Sequence, residues 1–277
     1  MISQIAAVFR LEWKKTFLSR RAWWIYLLAA GPVAITMIHW LMSSHSEVRI
    51  DRGGGHGHSL GDDSNIYAGI FQFFYLRGAI FFGCVGIFTN LFRAEMLEKT
   101  LHYYYMTPVR RELLVVGKYL AGLTVALAVF VISADASFFF IGRHFGAAYN
   151  DFIFHGPGLA QLGWYTLIAA LACAGYGAVF LMCGLLYKNP MIPAAVVFVW
   201  ENINPFLPSM LQKISVIFYL RSMLPVEIPV TGPFAVMVIE AEPYSAWITI
   251  PGVIAVAGFV LAYTAISARQ AEISYGE

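Results

Sequence analysis

Charged side chains of both signs are concentrated in one short interval that lies between two long apolar runs. The interval Phe92–Leu120 reads FRAEMLEKTLHYYYMTPVRRELLVVGKYL, and its charged residues are Arg93, Glu95, Glu98, Lys99, Arg110, Arg111, Glu112 and Lys118. Only 12% of the 277 residues are charged, so this concentration sets the interval apart from the rest of the chain. It predicts a water-facing helix over residues 93–110 that another protein can bind. We refer to these residues as the coupling segment.

The sequence has no loop for binding nucleotide phosphates. Such a loop needs the pattern G-x-x-x-x-G-K-[ST], in which backbone amides and the lysine surround the phosphates. The single Gly-Lys pair is Gly117-Lys118, but Tyr119 follows it and Glu112 stands where the first glycine belongs. We therefore expect that the chain does not hydrolyse ATP and holds no cofactor of its own.

Two charged residues are expected deep inside apolar runs. Arg77 lies ~15 Å from the end of its run by helical rise, and Glu201 lies at a similar depth in another run. Charges within a membrane are costly and need a partner. We expect these side chains to face each other, within one chain or across a dimer. Asp135 is expected closer to the membrane boundary.

Composition indicates that the chain is embedded in a membrane. Hydrophobic residues make up 59% of the sequence and aromatic residues 16%, and the mean hydropathy is +0.68. Runs of ~20 apolar residues are long enough to cross a hydrocarbon core ~30 Å thick. The net charge of +2 gives no reason to expect nucleic acid as a partner. Three cysteines inside apolar runs, Cys84, Cys173 and Cys183, give no disulfide framework.

The apolar runs predict an all-α polytopic membrane protein with six transmembrane helices in a single domain, residues 1–277. The predicted spans are residues 22–42, 67–91, 113–141, 159–187, 191–208 and 246–267. The coupling segment then joins the second and third spans. Prolines interrupt residues 209–245, which predicts an outer re-entrant region before the last span.

Residues 1–21 predict an amphipathic helix that lies on the membrane surface. Its apolar residues recur at steps of three and four and are Ile2, Ile5, Ala6, Phe9, Trp13 and Phe17. Its basic residues fall on the other side and are Arg10, Lys14, Lys15 and Arg21. A basic helix with aromatic residues on its apolar face is typical of the lipid headgroup boundary.

The distribution of lysine and arginine predicts the orientation, because these residues are enriched in cytoplasmic loops. With both termini in the cytoplasm, the inner side holds Arg10, Lys14, Lys15, Arg20, Arg21, Arg93, Lys99, Arg110, Arg111, Lys118, Lys188 and Arg269. The outer side then holds only Arg49, Arg52, Arg143, Lys213 and Arg221. The coupling segment therefore faces the cytoplasm.

Histidine residues on the outer side do not form a metal-binding motif. His56 and His58 are close in sequence, but a zinc or copper site needs three or four ligands in fixed geometry. A glycine-rich loop does not fix that geometry. The other outer histidines considered are His45, His144 and His155. We therefore expect no metal site.

The order of these elements resembles the permease subunits of ABC transporters in the type-2 exporter class. The residues that carry the resemblance follow the pattern E-x-x-E-K-T-L, a proline, two basic residues and G-K-Y-L. They are Glu95, Glu98, Thr100, Leu101, Pro108, Arg110, Arg111, Gly117 and Lys118. This chain departs from the family at Lys99, where a glycine is usual, and at His102–Tyr105, where an aliphatic run is usual.

The resemblance implies a function and a set of site residues. The chain would be the permease subunit of an ATP-driven exporter in the bacterial plasma (inner) membrane. Contact with the ATPase subunit is implied for Glu95, Glu98, Lys99, Thr100, Leu101, Pro108, Arg110 and Arg111. A place on the substrate pathway is implied for Gln72, Arg77, Glu201 and Asn202.

The resemblance also implies the partners. These are an ABC ATPase subunit that holds ATP and Mg²⁺, a second copy of this chain or a close relative, and membrane lipid. Two other functions stay open at this point, a membrane anchor or sensor without transport and an intramembrane enzyme. The second of these lacks a recognisable motif, since the chain has no H-E-x-x-H and no G-x-S-x-G.

Overall fold

The computed structural model describes residues 2–17, 22–50, 59–98, 110–226, 242 and 244–270. These residues form helices and a few turns, and they contain no strand, which confirms the predicted all-α class. In chain order the helices are α1 (Ile2–Phe17), α2 (Trp23–Ile50), α3 (Leu60–Leu97), α4 (Arg111–Ile141), α5 (Ala147–Phe154), α6 (Gly158–Leu186), α7 (Met191–Ile203), α8 (Ser209–Gln212), α9 (Val216–Arg221) and α10 (Ala246–Gln270). Short 3₁₀ turns follow α4 and α7, at Arg143–Phe145 and Asn204–Phe206.

Five of the described helices are long and apolar enough to cross a membrane. They are residues Trp23–Ser44 of α2 together with α3, α4, α6 and α10. The fifth predicted span, over residues 191–208, is not among these five helices, so a crossing there stays a prediction. Its helix α7 has only 13 residues, which reach ~20 Å at ~1.5 Å per residue and fall short of a ~30 Å core. Pro205 and Pro208 end the regular helix there, because proline has no N–H to donate.

The ends of helices α2 and α3 extend beyond the predicted spans. Helix α2 continues to Ile50, into the interval expected to be a loop. Helix α3 begins at Leu60, where Ser59 and Asp62 form a reciprocal cap with each other's side chain and backbone N–H. The same helix runs on to Leu97, so residues 93–97 of the coupling segment are the end of a membrane helix. The rest of the predicted coupling segment, residues 99–109, lies outside the described residues, so a separate helix there stays a prediction.

Helices α3 and α6 form the centre of the bundle and approach each other closely through glycine. At Gly184 of α6, an added Cβ would lie 2.7 Å from the backbone oxygen of Thr89 in α3. At Gly177, about two turns earlier in α6, an added Cβ would lie 2.5 Å from the ring of Phe88. Small residues allow this approach, and close backbone packing is a main source of helix association in membranes.

Helix α3 is π-helical over ten residues, Ile70–Ala79. Within this interval the Tyr75 hydroxyl lies 2.7 Å from the hydroxyls of Ser133 and Ser137 on α4. The Ser133 hydroxyl also donates to the carbonyl of Ala29 on α2 at 2.5 Å. This buried network holds three helices together around the irregular interval.

Helix α1 packs across the start of α4 and buries a narrow face there. Val8 and Glu12 are buried, whereas Ala6 and Trp13 on the predicted apolar face remain exposed. The protein therefore covers the flank of α1 that carries Glu12. The apolar face remains available to lipid, as an interfacial helix requires.

Candidate functional site

A lysine and two glutamates meet in the interior, at the place where the coupling segment joins the bundle. The Lys118 ammonium donates to Glu12 Oε1 at 2.7 Å and to the backbone carbonyl of Leu91 at 2.8 Å. It also forms an ion pair with Glu95 Oε1 at 2.8 Å. The side chains of these three charged residues are at most 2% exposed. We refer to Glu12, Glu95 and Lys118 as the ionic junction.

Three separate helices contribute one charge each to the ionic junction. Glu12 comes from α1, Glu95 from the last turn of α3 and Lys118 from the second turn of α4. Gly117 makes the approach of α1 possible, because a Cβ there would lie 2.8 Å from a Val8 methyl group. The local sequence thus places a small residue beside the lysine, so that the helix carrying Glu12 can reach it.

The charges of the ionic junction are nearly balanced. One ammonium between two carboxylates leaves a single excess negative charge, and the half-exposed Lys15 ammonium lies 3.4 Å from Glu95 Oε1. Removing one partner of a buried ion pair costs ~3–5 kcal/mol, because the remaining charge is then buried without compensation. This cost makes the relative position of α1, α3 and α4 rigid at the ionic junction.

A second contact joins the last helix to the same end of the bundle. The guanidinium of Arg111 donates to the backbone carbonyl of Arg269 at 3.0 Å, and Arg269 also pairs with Glu112. Helix α10 is thereby tied to the first turn of α4. Movement at the start of α4 therefore reaches four helices: α1, α3 and α10 in addition to α4 itself.

The residues predicted for ATPase contact fall into three groups. Glu95 is 1% exposed and belongs to the ionic junction, so it does not lie on the expected docking surface. Glu98 and Arg110 are exposed, at the end of α3 and just before α4, and Arg111 is half-buried against Arg269. Four predicted contact residues lie outside the described residues: Lys99, Thr100, Leu101 and Pro108.

A cavity of about 320 Å³ opens beside the ionic junction. Glu12, Lys15 and Glu98 contribute to its wall, together with apolar residues at the start of α2 and along α3. It is a mainly apolar, open region that borders Glu98, the last described residue before the interval 99–109. The cavity thus reaches the Glu12 side of the ionic junction, while Glu95 and Lys118 do not line it.

The predicted pathway residues do not form one cluster. Gln72 and Arg77 both lie in the π-helical interval of α3, and Gln72 is almost fully buried. The guanidinium of Arg77 lies 5.4 Å from the centre of the Phe73 ring, and its buried Nε has no hydrogen-bond partner within the described part of the chain. Asn202 donates to the carbonyl of Phe198 within its own helix.

Glu201 has partners other than the predicted one. Its carboxylate accepts a hydrogen bond from the Ser215 hydroxyl at 2.5 Å and from the backbone N–H groups of Val216 and Ile217 at 3.1 Å. These donors belong to the first turn of α9, so Glu201 caps that short helix. Among the described residues no ion pair within 4 Å joins Glu201 to Arg77, although the two charges attract each other over a longer distance. Their facing each other, within one chain or across a dimer, stays a prediction.

Sequence analysis missed Glu12, the residue of the ionic junction on α1. The residue type could have indicated its role, because Glu12 is the single acidic residue in a helix whose other charged side chains are basic. An acid on a basic surface helix indicates a specific basic partner. The identity of that partner, Lys118, required the folded structure.

Comparison with known proteins gives one match. A family model described as "ABC-2 family transporter protein" matches residues 8–204, a range that contains the whole ionic junction. No curated protein and no solved structure matches the chain.

Proposed function

Since the chain belongs to the ABC-2 transporter family, and is therefore a multi-pass permease subunit of an ABC transporter, we propose that it exports its substrate. A separate ATPase subunit drives this export and binds the ATP and Mg²⁺. The chain acts in the bacterial plasma (inner) membrane with both termini in the cytoplasm. These assignments are supported by the family, by the inward bias of lysine and arginine, and by the missing phosphate-binding loop.

The ionic junction is the observation that carries this proposal. It locks α1, the end of α3 and the start of α4 into one rigid unit. The interval 99–109 is inserted directly between two of these helices. A force applied to that interval is therefore transmitted to the membrane helices, since the intervening contacts are too rigid to absorb it.

The docking surface for the ATPase is assigned to the exposed part of the coupling segment and the exposed side of α1. Glu98 and Arg110 border the interval and are exposed. Lys99, Thr100, Leu101 and Pro108 remain predicted contacts from the family pattern. Glu95 has a different role in this proposal, because a buried residue transmits the motion rather than touching the partner.

The transport pathway is proposed to form between two copies of the chain, or between this chain and a close relative. Arg77 supports this location, because its guanidinium lies in a membrane helix and no ion pair reaches it from the described residues. Helix α7 leaves several apolar side chains exposed, which lipid or a second copy can cover: Met191, Ile192, Val196, Val199 and Ile203. Gln72, Glu201 and Asn202 then position the helices around this pathway.

Two variants separate docking from transmission. The chain is co-expressed with its ABC ATPase subunit, and the complex is purified and returned to lipid vesicles. We expect Arg110→Glu to reduce the copurified ATPase at least tenfold, because it reverses an exposed charge beside the docking surface. We expect Lys118→Met to retain the ATPase but to lose most of the stimulation of ATP hydrolysis by the permease, because the three helices are no longer locked.

Arg143→Glu is the matched control, since Arg143 is an exposed arginine at the opposite end of α4. It should change neither readout. If Arg110→Glu and the wild type copurify the same amount of ATPase subunit, Arg110 does not border the docking surface. A purified chain that moves substrate or catalyses a reaction with no ATPase bound would instead favour an intramembrane enzyme or a non-ABC function.

A further inference from the structure

Two histidines and an aspartate from three separate segments meet at the end of the bundle opposite the ionic junction. Asp63 lies in the first turn of α3, His39 lies within α2, and His144 lies in the 3₁₀ turn after α4. His39 Nε2 is 3.2 Å from Asp63 Oδ1, and His144 Nε2 is 3.5 Å from Asp63 Oδ2. One ligand atom from each residue lies within 4.8 Å of the others. We refer to these three residues as the His–Asp–His cluster.

The His–Asp–His cluster is buried and its hydrogen bonding is incomplete. The side chains of Asp63 and His144 are 2% and 1% exposed, and that of His39 is 22% exposed. Asp63 Oδ2 and His144 Nδ1 are buried atoms for which the described residues offer no hydrogen bond. Buried polar atoms normally have a partner. The unsatisfied carboxylate oxygen of Asp63, which lies 3.5 Å from His144 Nε2, therefore indicates that a cation can bind between these two atoms.

The ligand types and spacing suit a transition-metal cation. Two imidazoles and one carboxylate form a known three-ligand set for Zn²⁺, which leaves a fourth position for water. Ligands bound tetrahedrally at ~2.0–2.2 Å from Zn²⁺ lie ~3.3–3.6 Å apart. The two nitrogen–oxygen distances in the cluster are already near this range. A hard cation such as Mg²⁺ or Ca²⁺ would instead require oxygen ligands.

We propose that His39, Asp63 and His144 bind one Zn²⁺ ion. The ion joins the second half of α2, the start of α3 and the turn after α4. The contacts of Asp63 with His39, at 3.2 Å, and with His144, at 3.5 Å, also link these segments. It also compensates the buried carboxylate of Asp63. This site differs from the expectation of no metal, which considered the outer histidines, including His144, but did not include His39 or Asp63.

The first experiment measures binding to the full chain. The protein is purified in detergent, treated with a chelator, desalted and titrated with ZnCl₂ against a chromophoric competitor. We expect one Zn²⁺ per chain with a dissociation constant below ~10 µM, and a rise in thermal midpoint on addition of ZnCl₂. Co²⁺ in place of Zn²⁺ should give the intense visible absorption of a four-coordinate site. Failure of the wild-type chain to bind Zn²⁺ in this range overturns the proposal.

The second experiment assigns the ligands. We expect His144→Ala and His39→Ala each to weaken Zn²⁺ binding at least tenfold and to abolish the thermal shift. His155→Ala is the matched control, because His155 pairs with Asp151 at 3.1 Å in full solvent exposure and lacks a third ligand. A double variant, His56→Ala with His58→Ala, tests the glycine-rich loop.

Both controls should bind Zn²⁺ as the wild type does. Loss of binding in the loop double variant, with binding retained in His144→Ala and His39→Ala, overturns the assignment. Because the wild-type titration and the Co²⁺ spectrum do not depend on any variant, a variant that fails to fold leaves the proposal testable. The outcome is also independent of transport, since no ATPase is needed.

Discussion

At the scale of single residues, Lys118, Glu201 and Arg77 are each held by a different kind of partner. Lys118 is held by two carboxylates and a backbone carbonyl, whereas Glu201 is held by one hydroxyl and two backbone N–H groups. Arg77 contacts an aromatic ring. Intramembrane charges are expensive, and each of these contacts reduces the cost in a way that depends on local geometry. Residue type alone therefore does not reveal the partner.

Glu201 provides a prediction at this scale. We expect Glu201→Leu to destabilise the protein by ~1–3 kcal/mol, because it leaves the hydroxyl of Ser215 and two backbone N–H groups at the start of α9 without an acceptor. Asn202→Leu should have little effect, since Asn202 bonds only to its own helix. Thermal unfolding in detergent measures both.

The exchange of charges between Arg77 and Glu201 extends this test. The double variant Arg77→Glu with Glu201→Arg should be no more stable than the worse single variant, because an arginine at position 201 cannot accept hydrogen bonds from α9. If the exchange restored the stability lost in the single variants, the two residues would be direct partners, as the sequence suggested.

At the scale of helices, glycine determines how closely the central pair packs. Gly177 and Gly184 lie seven residues apart on α6 and therefore face the same neighbour, α3. At Gly184 the nearest atoms belong to the backbone of Thr89, which cannot move aside as a flexible side chain can. The contact between α3 and α6 thus depends on the absence of two side chains.

We expect Gly184→Ala to destabilise the protein by ~1–3 kcal/mol, because its Cβ would overlap the Thr89 backbone. Gly163→Ala is the matched control in the same helix, with nothing within 4 Å of the added Cβ. That change should be neutral or stabilising by up to ~1 kcal/mol, since alanine favours helix over glycine. The two thermal midpoints, measured in the same detergent, check this prediction. Equal losses in both variants would mean that helix packing at Gly184 is looser than in the structure.

At the scale of the whole molecule, the two ends of the bundle have different chemistry. One end carries the ionic junction, the exposed termini of α3 and α4 and the basic helix α1. The other end carries the short helix α5 and the His–Asp–His cluster. This separation fits a permease in which force enters on one side and the membrane helices open on the other, as proposed above.

Cysteine labelling tests the proposed orientation. The three native cysteines are buried, so they contribute little background. In intact spheroplasts, a membrane-impermeant maleimide should label Asp151→Cys, on the exposed side of α5. Lys188→Cys, in the turn before α7, should react only after permeabilisation. The reverse pattern would place the interval 99–109 on the outside and exclude contact with a cytoplasmic ATPase.

The sequence by itself determined the class of this protein, most of its long helices and its family. Long apolar runs, the amphipathic first helix and the charged interval between two runs follow from local periodicity, and the family match confirms the ABC-2 resemblance read from residues such as Glu98, Arg110 and Arg111. Four predicted spans lie within a few residues of their helices, because hydrophobic length fixes where a membrane helix begins and ends. These features depend on neighbours in sequence.

Only the tertiary structure decided which distant side chains meet. Lys118 and Glu12 are 106 residues apart, and the separation of His39 and Asp63 is 24 residues. Such pairs depend on the packing of whole helices, so no periodicity marks them. The short α7 and the cap that Glu201 provides likewise arise because backbone groups found partners on another element or lost them to proline.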